Sequence, residues 1–168
     1  MKNFLLNTKK MITLLVVLSG FVLNAQETAQ ISNQLKWSER MALSIMKRHP
    51  ESYQIDDKKT PQWDYVHALV LTSFEALYKN TNDQKYYNYI KQYADATIDQ
   101  NGEVSSYKFD TYNIDMVTAG RLLFNLYTTT KDTRYLKVMQ LLRKQITEQP
   151  RTASGGFWHK KIYPNQMW

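Results

Sequence analysis

The chain has 168 residues, a formal net charge of +7, no cysteine and three histidines. Without cysteine there is no disulfide framework and no thiolate metal site, and a zinc enzyme would have to use nearly every histidine. The basic residues form no Lys/Arg-rich block laced with aromatics, which argues against a nucleic-acid partner.

Residues 1–25 read as a secretory signal peptide: Lys2, Lys9 and Lys10 precede an apolar stretch from Met11 to Leu23, and Ala25 offers a small residue at the cut. The apolar run is shorter than the roughly 20 residues of a comfortable membrane span. Export to the bacterial periplasm or beyond is expected, with no membrane contact after cleavage. Gln26 to Trp168 then form one domain of 143 residues, and losing three lysines and no acid lowers the net charge to +4.

Helical periodicity dominates the rest of the chain. Trp37, Met41 and Ile45, flanked by Ala42 and Met46, set a first stripe at i, i+4, i+8. Four further helices are predicted at about 63–79, 83–98, 114–129 and 133–148. They come in matched pairs. A shift of 49 residues brings Leu77-Tyr78 onto Leu126-Tyr127, Asp83 onto Asp132, Lys85 onto Arg134 and Tyr86 onto Tyr135. Such a period marks a helical hairpin stacked on its copy, with Thr81 and Gln84 resembling a capping box for the return helix. The second and fourth helices are apolar around most of their circumference, and the third and fifth carry a single stripe. Inner and outer helices of a double layer fit that asymmetry. The period excludes tetratricopeptide units of about 34 residues but leaves an open solenoid and a closed ring equally available.

In such a double layer the N-termini of the inner helices share one rim. The segments "DTYNID" and "GGFWHKKIYPNQMW" therefore meet there, and Trp63 and Tyr65 belong to the same rim. Two readings fit Asp115: an acid complementing a helix dipole or helping Asn113 cap free amides, and a carboxylate tuned for acid–base work in a lumen. The aromatics Phe157, Trp158, Tyr163 and Trp168 around His159, Lys160 and Lys161 suit either a packed loop or a pocket for a sugar bearing a carboxylate. No metal-ligand cluster, Gly-rich phosphate loop or G-x-S-x-G elbow is present.

Together "QWDYVHALVLTSFEALYKNT", "YNIDMVTAGRLLFNLY" and "GGFWHKKIYPNQMW" resemble glycoside hydrolase family 105, the unsaturated rhamnogalacturonyl hydrolases, over about residues 35–168. The unsaturated glucuronyl hydrolases of family 88 are related. The resemblance implies an all-α fold, here an incomplete (α/α)6 toroid of about five helices. It also implies hydration of a 4,5-unsaturated uronyl residue at the end of an oligosaccharide, with no metal or organic cofactor. Position by position, Asp115 resembles the second acidic residue of that active site, His159 and Lys160 resemble substrate-pocket residues, Trp168 an aromatic wall and Tyr65 a pocket-lining residue. The aspartate that follows "QMW" in the family as general acid is not in this sequence. The segment alone is therefore expected to be inactive and to fold poorly. A helical-repeat module binding a glycan or protein is the alternative outside enzymology, and a polysaccharide lyase the alternative within it. Oligomeric state is left open.

Overall fold

The computed structural model describes residues 31–164 and Gln166. The predicted signal peptide and Trp168 lie outside the described residues. Between Asn33 and the C-terminal loop the chain forms five α-helices among the described residues: α1 (Trp37–Arg48), α2 (Tyr65–Thr81), α3 (Gln84–Thr97), α4 (Leu122–Thr130) and α5 (Thr133–Glu148). Short 3-10 turns fill the connections at Ser52–Asp57, Phe109–Thr111, Ile114–Met116 and Thr118–Arg121. No strand occurs among the described residues. Two single antiparallel bridges, Ile98 with Val104 and Arg151 with Phe157, close loops instead.

The repeated sequence makes a repeated structure down to its hydrogen bonds. α2 and α4 both end on a left-handed residue, Asn82 at φ 55° and Lys131 at φ 58°. Each of these donates its N–H to a tyrosine carbonyl, Tyr78 in one hairpin and Tyr127 in the other. Thr81 and Thr130 return their hydroxyls to the carbonyls of Leu77 and Leu126. Asp83 and Asp132 then cap the outgoing helices by accepting from the N–H groups of Lys85 and Arg134. This corrects the expected capping box: Asp83 caps α3, while Thr81 is the last residue of α2. An Asp carboxylate is the stronger acceptor there, because the helix dipole favours its charge.

The hairpins α2–α3 and α4–α5 stack, with α2 packed against α4 and against the Thr118–Arg121 turn. Their shared core buries Leu71, Phe74, Tyr86, Tyr93, Leu122, Leu123, Leu126 and Tyr135. Phe74 stacks on Tyr89 at 5.0 Å and meets the edge of Tyr86 at 6.0 Å. Each such side chain contributes roughly 1.5–3 kcal/mol by leaving water. Gly120 lets α4 and α5 close: a Cβ there would lie 2.4 Å from Leu142 Cδ1.

The start of the fourth helix differs from the expected continuous α-helix from Ile114. Its first turns are 3-10, with Met116, Val117 and Gly120 bonding three residues back, and α-geometry begins only at Leu122. Val117, Thr118 and Gly120 are weak helix formers, and Gly120 is pulled against α5, so the tighter winding is retained.

Apolar side chains remain uncovered at the flanks. Trp37 and Met41 of the first apolar stripe are exposed; Ala42 is the α1 residue that is buried. Leu69 on α2 and Phe124 on α4 also face solvent. A groove of about 750 Å3 runs along α4 and α5, lined by Val117, Phe124, Leu136, Met139 and Ile146. In the first hairpin, the repeat equivalents of the last four of these (Glu75, Tyr87, Ile90 and Thr97) are all buried, on helices that touch α4.

Candidate active site

The loop from Tyr107 to Met116 delivers Asp115. Its 3-10 turn Phe109–Thr111 ends on the left-handed Tyr112, and Asn113 then accepts from the Asp115 N–H with its side-chain oxygen. The loop after α5 delivers the partners. Arg151 covers the Phe157 ring at 3.8 Å, Gly155 takes φ 88° at the turn, and the Trp158 N–H returns to the Pro150 carbonyl.

The two loops are stitched together by backbone. The Ile114 N–H donates to the His159 carbonyl at 3.0 Å, and the Lys161 N–H donates to the Thr111 carbonyl at 2.9 Å. This register brings His159 Nε2 to 3.0 Å from Asp115 Oδ2, and Lys160 Nζ to 3.2 Å from the same oxygen. A carboxylate only accepts, so the imidazole carries a proton on Nε2. Tyr163 stacks on the His159 ring at 6.0 Å between centroids. The Asp115 side chain is 15 % exposed and that of Lys160 28 %, so the cluster is shielded yet open to a ligand. Among the described residues no three His, Asp or Glu side chains converge where a cation would sit.

A second unit fixes the rim from the α2 side. Trp63 is fully buried; its Nε1–H donates to the Met116 carbonyl at 2.7 Å, one residue beyond Asp115. Asp64 caps α2, accepting from the His67 N–H and, at 2.7 Å, from His67 Nδ1. His67 Nε2 lies 2.9 Å from the Tyr53 carbonyl, so both ring nitrogens face acceptors, and the ring stacks on Tyr93 at 4.8 Å. Burial alone would raise the Asp64 pKa, but the hydrogen bonds and charge of His67 outweigh it and hold the group below the ordinary carboxylate range.

Of the residues singled out in the sequence, Asp115, His159 and Lys160 meet. Tyr65 stands half exposed at the first residue of α2 and joins none of the hydrogen bonds around Asp115. Sequence reasoning passed over Asp64 and His67, although an Asp three residues before a His at a helix start is a legible capping pattern. It also passed over Gln145 on α5 and Gln149 at its C-cap, whose side chains hold both loops from beneath.

Residues 37–168 match Glycosyl Hydrolase Family 88. The chain belongs to that family. This family 88 chain is also similar to a solved structure, a glycoside hydrolase of family 105 from C. acetobutylicum ATCC 824. The two are 36 % identical and superpose with a TM-score of 0.70 over 80 % of this chain. The family 88 chain spans 35 % of the length of that relative. The helical hairpins here are thus part of the family's helical toroid, and the chemistry the family supports is carbohydrate hydrolysis.

Proposed function

We propose that this family 88 chain carries part of a hydrolase site for the 4,5-unsaturated uronyl residue of rhamnogalacturonan-derived oligosaccharides. The observation that supports this reading most is the meeting of one carboxylate, one imidazole and one ammonium at Asp115 Oδ2, held by two loops stitched backbone to backbone. Lys160 has three N–H donors, and engaging Asp115 leaves others to face the sugar's own carboxylate. Asp115 serves as the second acidic group, and His159 orients it while offering a polar edge to the ring. Tyr65 and Trp168 are assigned to the walls of the sugar pocket.

The chemistry asked of such a site is modest. A proton is added to C4 of the double bond and the oxygen of water bonds to C5, whose charge the ring oxygen stabilises; the second proton of water passes to a base. The hemiketal at C5 opens to a ketone and frees the ring oxygen at C1. The hemiacetal at C1 then expels the neighbouring sugar as an alcohol. One water is consumed and no redox partner is needed. Export through residues 1–25 would bring the enzyme to its polymer-derived substrate.

The test is loss of the conjugated uronate's ultraviolet absorbance together with release of the neighbouring sugar. A family-length enzyme carrying this segment is expected to produce both. Residues 26–168 assayed alone, with a single carboxylate in the cluster, are expected to produce neither. Cleavage of a saturated uronide at a comparable rate would overturn the reading, because the mechanism requires the double bond.

A further inference from the structure

Two glutamines continue the buried face of α5 beyond Val138 and Leu142, Gln145 in its last turn and Gln149 at its C-cap. Gln145 is fully buried and Gln149 nearly so. A buried amide is tolerated only when its donors and acceptor are met. Here they are. Gln149 Nε2 donates to the Tyr112 carbonyl at 2.7 Å and to the Trp158 carbonyl at 2.8 Å. Gln145 Nε2 donates to the Asn113 carbonyl and to Gln149 Oε1, both at 3.1 Å. Gln145 Oε1 accepts from the Tyr107 hydroxyl at 2.6 Å. Burial pushes the Tyr107 phenol up to about 12, so it remains a donor near neutral pH.

The orientation of both amides is forced. Backbone carbonyls only accept, so turning the Gln149 amide over would set its oxygen against one or both of them. The carbonyls chosen are also telling. Tyr112 and Asn113 lead directly into the turn of Asp115, and Trp158 immediately precedes His159. A single NH2 group therefore holds one limb of each loop, and its two hydrogen bonds set the spacing between them.

We propose that Gln145 and Gln149 form a buried amide relay that positions Asp115 against His159. This rests on the reading of those two residues as the site. Neither glutamine touches the carboxylate or the imidazole, so both are positioning residues that act through the backbone of the two loops.

The test uses a family-length hydrolase carrying this segment with Gln149→Met, which keeps the length and bulk of the side chain and removes both donors. The readout is solvent exchange of the His159 Nε2 proton by NMR, identified by its displacement in Asp115→Asn. The relay predicts exchange faster by about tenfold or more, the equivalent of one buried hydrogen bond. Glutamines that only stabilised the fold would lower the melting temperature and leave that proton's exchange under native conditions within twofold of wild type; this result would overturn the proposal. Should the variant fail to fold, the wild-type hydrolase decides. The two Gln149 side-chain amide protons are expected to exchange far more slowly than those of an exposed glutamine, and exchange at the exposed rate would overturn the relay. Neither measurement uses a sugar, so failure of the relay and failure of the hydrolase reading are separable.

Discussion

Asp115→Asn is expected to lower turnover of an unsaturated uronyl disaccharide by about 10²- to 10⁴-fold, measured in a family-length hydrolase carrying this segment. That corresponds to about 2.7–5.5 kcal/mol of transition-state stabilisation. Asparagine preserves the shape of the side chain and retains an oxygen that accepts from His159, so the loops should keep their register. It removes the negative charge that Lys160 faces at 3.2 Å and the capacity to exchange a proton. The melting temperature of that hydrolase should change little, because the Asn113 cap and the backbone stitches between the loops do not involve this carboxylate. A loss smaller than tenfold would return Asp115 to the role of an acid complementing a helix start.

Trp63→Ala is expected to destabilise a family-length hydrolase carrying this segment by about 3–5 kcal/mol, read as a shift in the denaturant midpoint. Typical domains have only 5–15 kcal/mol in total, so the variant sits near the edge of folding. The size of the effect comes from three losses at one residue. The ring is fully buried, it stacks on Tyr93 at 6.0 Å, and its N–H satisfies the Met116 carbonyl. Trp63→Phe separates these, since it keeps most of the apolar area and leaves that carbonyl without its donor; about 1–3 kcal/mol is expected. An alanine variant within 1 kcal/mol of wild type would contradict the placement of Trp63 as the pin between α2 and the Asp115 turn.

Much of the helical scaffold was legible because the repeat preserves the residues that make a turn. Asp83 and Asp132 cap, Asn82 and Lys131 reverse the chain, and each falls on its partner at the same shift. Parity of inner helices also predicted that the loops before the fourth helix and after the fifth share a rim, and Asp115 and His159 meet across 3.0 Å. The limits have physical causes. The 3-10 winding ahead of Leu122 follows from the close approach of Gly120 to Leu142, a tertiary contact that periodicity does not contain. Trp37 and Met41 fit a helical stripe yet face solvent, because a stripe marks an apolar face without saying what covers it. Nothing in the apolar pattern singles out Gln145 and Gln149, because an amide side chain gives no hydrophobic signal of burial. Their burial is set by where two distant loops cross the end of α5.

Binding of the unsaturated uronyl sugar at the Asp115, His159 and Lys160 cluster is proposed from the meeting of these side chains at Asp115 Oδ2. Titrating an isotopically labelled family-length hydrolase carrying this segment with an unsaturated galacturonyl–rhamnose disaccharide, and following backbone amides by NMR, is the deciding measurement. Saturable shifts in the millimolar range, centred on residues 113–115 and 159–161 and abolished by Lys160→Met, are predicted. Saturable binding that maps elsewhere, or a cluster that stays silent throughout the titration, would contradict it.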